Sequence, residues 1–279
     1  MSAENAGTPE STMVRARSES TAAKAGWARA GRGLLGLVVF LLVAESVSRF
    51  QLTPTNWLPP MSRVIAAVGE LLVDPEFLGH VLATLGDWLL GLAIATVAAS
   101  LLGLVLGMVP GLNNAVRILI EFLRPIPSVA VIPLMILLLG GDSTSKISMV
   151  VYSCAWPILL NTIYGLRSVD PLAKDTARVF GFGTAAVALR VQLPSAAPFI
   201  ATGIKVSAAI GLIVAVSSEL LGAGAAGIGY YIGEIGVGYD STHLVFAAAT
   251  VAGLLGIVVN STLDRLERRI FRWRDLEAA

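Results

Sequence analysis

Asp170–Pro198, DPLAKDTARVFGFGTAAVALRVQLPSAAP, is the one place in the middle of this chain where charge, helix signals, glycines and prolines crowd together. Leu172, Ala173, Thr176, Ala177 and Phe180 recur at the spacing of one helix face, with Asp170, Lys174, Asp175 and Arg178 mainly elsewhere on it. Gly181 and Gly183 interrupt that helix. Thr184 is placed to cap a second one running to Leu193, Pro194 stops it, and Pro198 opens the next span. At about ten residues the second helix is too short to cross a hydrocarbon core of ~30 Å. The sequence therefore predicts two short helices around a glycine bend, a shape that serves either as a structural loop or as an element that docks in a partner's groove.

The chain around this stretch is too apolar for a soluble globule. Of 279 residues, 55% are hydrophobic and only 14% charged, with a mean hydropathy of +0.77, so the expected surroundings are a bilayer. A net charge of +1 argues against nucleic acid as a partner. The single cysteine, Cys154, can form no disulfide within the chain.

Residues 1–32 are rich in Ser, Ala, Thr and Gly, carry five basic residues and lack an apolar face, which predicts a disordered basic tail ahead of one membrane domain over 33–279. Gly33 to Val47 reads as a retained anchor helix, not a cleaved leader, because the polar segment before it is long. Met61 to Val73, with Ile65, Val68, Leu71 and Leu72 on one side, suits a surface helix. Leu85 to Met108 is a strong span ended by Pro110-Gly111 and Asn113-Asn114. Ile118 to Leu139 is a third, broken by Pro125, Pro127 and Pro133, and a break in lipid must be satisfied by protein or by a wet cavity. After a polar turn over Gly140 to Lys146, spans follow at Ile147 to Gly165, Phe199 to Leu221 and Leu244 to Thr262. A glycine-rich loop joins the last two, and the chain ends in the basic, amphipathic LDRLERRIFRWRD. Six membrane helices in an all-α protein are expected.

Orientation follows from charge. With the amino terminus in the cytoplasm, all but Arg49, Arg63 and Lys146 of the chain's 20 Lys and Arg fall on the cytoplasmic side. The positive-inside rule selects this arrangement, with both termini and the Asp170–Pro198 stretch inside.

The stretch resembles the EAA loop of ABC-importer permeases. Asp175, Thr176 and Ala177 stand at the Glu-Ala-Ala places, Gly181 at the glycine, Val191 at the isoleucine, and Leu193-Pro194 close the pattern with every spacing kept. Asp for Glu, Thr for Ala and Val for Ile conserve charge or approximate size. RPIPSVAVIPLMILLLG, the NTIYGLRSVDP run, SSELLGAGAAGIGYYI and DRLERRIFRWR extend the likeness from about Leu85 to the carboxyl end, toward the branch importing aliphatic sulfonates, taurine, nitrate and pyrimidine thiamin precursors. The resemblance implies a type I importer permease fold in the bacterial cytoplasmic membrane. It also implies two permease copies around a pore, a cytoplasmic ATPase subunit under each loop, and an extracytoplasmic solute-binding protein. No G-x-x-x-x-G-K-[ST] occurs, so ATP and Mg²⁺ are expected on the ATPase partners, and this chain is not expected to be an enzyme.

Candidates for the translocation path are Pro127, Ser128 and Pro133 of the broken span and Glu219 at the outer end of the fifth; Glu219 can equally be a structural cap or ion-pair partner. His80 and His243 fall in predicted outer loops far apart in sequence, which disfavours a metal site, and Ser217-Ser218 lacks a base at a nucleophile's spacing. An ion-coupled secondary transporter is the alternative. It would need intramembrane charged sites and often an inverted repeat, neither of which is visible in the sequence.

Overall fold

The computed structural model describes residues 31–33, 35–50, 58–236 and 241–271. The expected basic tail falls almost wholly on residues 1–30, outside the described residues. The chain divides between Ile65 and Ala66 into two units. The first contains α1 (Gly31–Arg49), an apolar helix long enough to cross a membrane. In it the Glu45 carboxylate accepts from Arg49 Nε at 2.7 Å and from the Ser62 N–H and hydroxyl at 3.1 and 3.0 Å. α2 (Met61–Leu71) begins in this unit and buries Val64, Ala67 and Leu71, while Ile65 and Leu72 are exposed. Its buried face is thus turned one residue from the expected one.

In the second unit, α3 (Pro75–Met108) starts ten residues earlier than the apolar run suggested. Asp74 caps it by accepting the Glu76 N–H, and Pro75 stands in its first turn. The span between Met108 and Ile118 is not a turn: α4 (Pro110–Leu123) begins at the proline, which lacks the N–H that a first helical residue leaves unused. α4 and α5 (Ser128–Leu139) meet at 92° across Arg124–Pro127, the break expected in the third span. α6 (Ser143–Arg167) is capped by Asp142, so Lys146 lies in its first turns and not in a loop.

α3, α6 and α9 (Leu193–Leu220) form the core. Trp88, Leu92, Ala95 and Leu106 of α3 meet Val150, Cys154, Ile158 and Ile163 of α6 and Ala208, Leu212 and Ala215 of α9. Lipid tails are as apolar as these side chains, so membrane helices associate by close packing and interhelical hydrogen bonds rather than by escape from water. Both devices are present. A Cβ on Gly91 would come within 2.7 Å of Val150, one on Gly103 within 2.7 Å of Thr162, and one on Gly203 within 2.9 Å of Asn161. Trp88 Nε1 donates to the Ala208 carbonyl at 3.0 Å, and the Ser207 hydroxyl donates to the Cys154 carbonyl at 2.8 Å.

α10 (Ile228–Ile235) packs on α9, α3 and α11 (Thr242–Ile270). The basic end expected as a separate juxtamembrane helix continues α11 without a break through Ile270. Lys205 of α9 pairs there with Asp264 and Glu267. Among the described residues, and including α1, five helices are long and apolar enough to cross a membrane, and six if the bent α4–α5 pair counts as one span.

Candidate functional site

The loop that decides the sequence reading is built around α7 (Pro171–Val179). Asp170 caps it, its carboxylate accepting the Leu172 N–H at 2.9 Å, and Pro171 begins it. Its other end is a Schellman turn: the Gly181 N–H donates to the Arg178 carbonyl at 2.9 Å and the Phe182 N–H to the Ala177 carbonyl at 3.1 Å. Such a turn needs its first residue beyond the cap in the left-handed region, and Gly181 has φ +82°. The glycine of the loop pattern is therefore the residue that stops α7 and reverses the chain.

Most side chains of α7 are exposed. Ala177 is buried, whereas Asp175 and Thr176 are exposed and Asp175 pairs at the surface with Arg178, Oδ1 to Nη1 3.0 Å. Leu172, Val179 and Phe180 are 70%, 86% and 77% exposed. On a lipid-facing span such exposure is ordinary, but α7 is a short, polar helix outside the candidate spans. Its exposed apolar side chains therefore have no span to account for them.

Beyond the turn the structure departs from the expected second short helix. Gly183, not Thr184, is the cap residue, and no side chain caps this end. α8 (Thr184–Val187) runs through a π-turn at Ala188–Gln192 directly into α9, giving one helical body over Thr184–Leu220. Pro194 does not stop it. A proline clashes with the carbonyl four residues back and offers no N–H, and the widened π-turn just before it absorbs that change. Val191 is half-buried in this turn, Leu193, half-buried, and Pro194, exposed, begin α9, and Arg190 lies over the Phe182 ring at 5.6 Å. All seven loop residues, Asp175, Thr176, Ala177, Gly181, Val191, Leu193 and Pro194, thus belong to one helix–turn–helix unit rooted in the core helix α9.

The path candidates separate. Pro127, exposed, is the cap residue of α5; Ser128, half-buried, begins it, and Pro133, exposed, lies inside it. Glu219 is 1% exposed and sits among hydrogen-bond donors, with Lys146 Nζ at 2.9 Å and the Thr84 hydroxyl at 2.8 Å. Lys146 is itself fully buried and also pairs with Asp87 at 2.7 Å. No charged cluster among the helices is legible in the sequence, because its members are isolated single charges far apart in the chain. His80 is on α3, not in a loop, and its Nδ1 accepts the Gly227 N–H at 3.0 Å.

The architecture is a helical membrane bundle that carries an exposed helix–turn–helix unit rooted in a core helix. Residues 91–272 match the family of binding-protein-dependent transport system inner membrane components, and the chain belongs to it. It is a permease subunit of the ABC-importer class. It is 29% identical to the putative aliphatic sulfonates transport permease protein SsuC of Bacillus subtilis, over 99% of this chain and 98% of that one. With the taurine transport system permease protein TauC of Escherichia coli K12 it shares 28% identity over 85% and 87%. The bicarbonate transport system permease protein CmpB of Synechocystis is 23% identical over 85% and 86%. In fold the chain is similar to a chain of a bacterial alginate ABC transporter crystallised with its periplasmic protein. The TM-score there is 0.60 at 19% identity, covering 90% of this chain and 97% of that one. A chain of the inward-facing MetNI methionine transporter gives 0.54 at 19% identity, covering 75% and 97%.

Proposed function

We propose that this chain imports a small anionic solute, of the sulfonate or nitrate kind, or a pyrimidine, as one of two identical permease copies around a shared pore. The named substrates of the similar permeases, sulfonates, taurine and bicarbonate, support the small, charged class. An extracytoplasmic binding protein delivers the solute, and two cytoplasmic ATPase subunits, which hold ATP and Mg²⁺, dock on the α7 loops. The observation that carries the coupling role is the exposed Leu172, Val179 and Phe180 surface on a loop whose turn is fixed by Gly181. Closure of the ATPase dimer draws the two loops together. Because each loop continues through the π-turn into α9, the shift is transmitted to the core as a rigid-body movement that exchanges inward-facing for outward-facing access. Pro127, Ser128 and Pro133 line the path where α4 and α5 break. Glu219 acts on it through the segment it holds and does not touch solute.

Asp175→Arg reverses a charge on the docking face without touching the turn, and Gly181→Pro removes both the φ +82° and the N–H that close it. Both variants should reach the membrane and fail to retain the ATPase in a pull-down. Full ATPase retention and uptake by both would refute the docking assignment. An ion-coupled carrier is the alternative, and solute uptake driven by a proton gradient with no ATPase co-expressed would establish it.

A further inference from the structure

The end of the bundle opposite α7 contains a buried ammonium for which the transport reading has no use. Lys146 Nζ lies 2.7 Å from Asp87 Oδ2 on α3 and 2.9 Å from Glu219 Oε1 on α9, and donates to the Ala226 carbonyl at 3.1 Å. Its three N–H donors thus have three acceptors, the condition on which a lysine tolerates burial. Glu219 accepts further from the Thr84 hydroxyl at 2.8 Å and from the Gly229 N–H at 2.9 Å, and the Thr84 oxygen accepts the Ile228 N–H at 2.9 Å. With His80 on the Gly227 N–H, four consecutive residues, Ala226 to Gly229, are fixed by side chains of α3, α6 and α9. These residues are the entry to α10, and two of the N–H groups are first-turn donors that no carbonyl within the helix can satisfy.

One cation here balances two carboxylates of unequal exposure. The Asp87 side chain is 20% exposed and can reach solvent, whereas that of Glu219 is fully buried. Without Lys146, Glu219 is a buried charge with no counter-charge, a strongly unfavourable state that is relieved by taking up a proton, by letting water in or by moving the group out. Water entry or displacement breaks the bond to the Gly229 N–H and frees the Thr84 hydroxyl that accepts from Ile228, and a proton on the carboxyl weakens these charge-assisted bonds. We propose that Lys146 is a positioning residue: by compensating Glu219 it holds the Ala226–Gly229 segment, and with it α10, against α3 and α9 at the end of the pathway remote from the coupling loop. This positioning is a property of a single chain, so its test needs neither the solute nor the ATPase.

The reporter is a cysteine at Ile228, a side chain with no exposure, in a Cys154→Ala background, with Ala95→Cys, equally buried in the middle of α3, as the control. Labelling by a maleimide is followed in membranes made permeable to it. Lys146→Met should raise the labelling rate of Ile228→Cys by about tenfold or more, as local opening of that segment requires, and leave Ala95→Cys unlabelled. Adding Glu219→Gln to Lys146→Met removes the uncompensated charge and should return the rate toward that of the Lys146 protein. An unchanged rate at Ile228→Cys in Lys146→Met would overturn the proposal. So would an equal rise at both cysteines, or loss of the protein from the membrane that Glu219→Gln does not recover, since either makes Lys146 a general folding residue.

Discussion

Gly227 and Gly181 use glycine's freedom for different ends. Gly181, at φ +82°, has open space around a would-be Cβ, so its role is confined to the turn that ends α7. Gly227, at φ +141°, is in a region almost closed to other residues, and a Cβ there would fall on the Glu219 carboxylate. Gly224, at φ +96°, has its nearest neighbour, Lys146 Nζ, at 3.6 Å, an ordinary contact. Gly227→Ala should therefore destabilise the detergent-solubilised protein by more than the ~1–3 kcal/mol of backbone strain alone, and Gly224→Ala by about that strain. Thermal denaturation of the two variants side by side checks the order. The sequence displayed Gly181 through its place in a spaced pattern. It could not display Gly227, because the carboxylate that excludes a side chain there belongs to a different helix.

Among the elements, the joint between the docking loop and α9 was the least legible. Proline read locally is a helix stop, and Pro194 and Pro198 both carry that signal. A π-turn is not visible in propensity, since it depends on which carbonyl each N–H reaches once the helix is packed. Its consequence is that α8, the turn and α9 form one continuous helical body. Inserting one alanine after Leu189, an exposed residue of the turn, adds a residue that the already widened turn does not absorb and should swing α7 by about 100° relative to α9. The expected result is normal membrane insertion with loss of ATPase retention, read by the same pull-down. Retention of the ATPase would show that the joint is compliant. The break between α4 and α5, by contrast, was plain in the sequence, because Pro125 and Pro127 fall within four residues of the 92° bend.

At the scale of the molecule, the loops sort onto two ends. Thr84, Asp87, Lys146 and Glu219 gather at one, while α7 and the Lys205 pairing with Asp264 and Glu267 lie toward the other. Reporter insertions at Gly183 and Ala225, both exposed, should score as cytoplasmic and external respectively. The reverse result would invert the proposed docking side. The basic residues that gave this orientation were legible because the positive-inside rule counts charges by loop and needs no contacts. Lys146 was counted as one more loop charge, and its removal from the tally leaves the orientation unchanged.

The sequence by itself determined the membrane setting, the number and approximate place of the spans and the helix–turn–helix loop, whose spaced pattern carried the resemblance to the permease family. Each of these rests on composition, on periodicity or on fixed spacing within about thirty residues. Tertiary structure alone decided that Lys146, Asp87, Glu219 and Thr84 form one buried cluster and that α10 hangs from it. Glu219 lies 73 residues from Lys146 and 135 from Thr84. A lone charge in an apolar sequence reads as a helix end or a loop, and only the packing of three helices turns it into a partner.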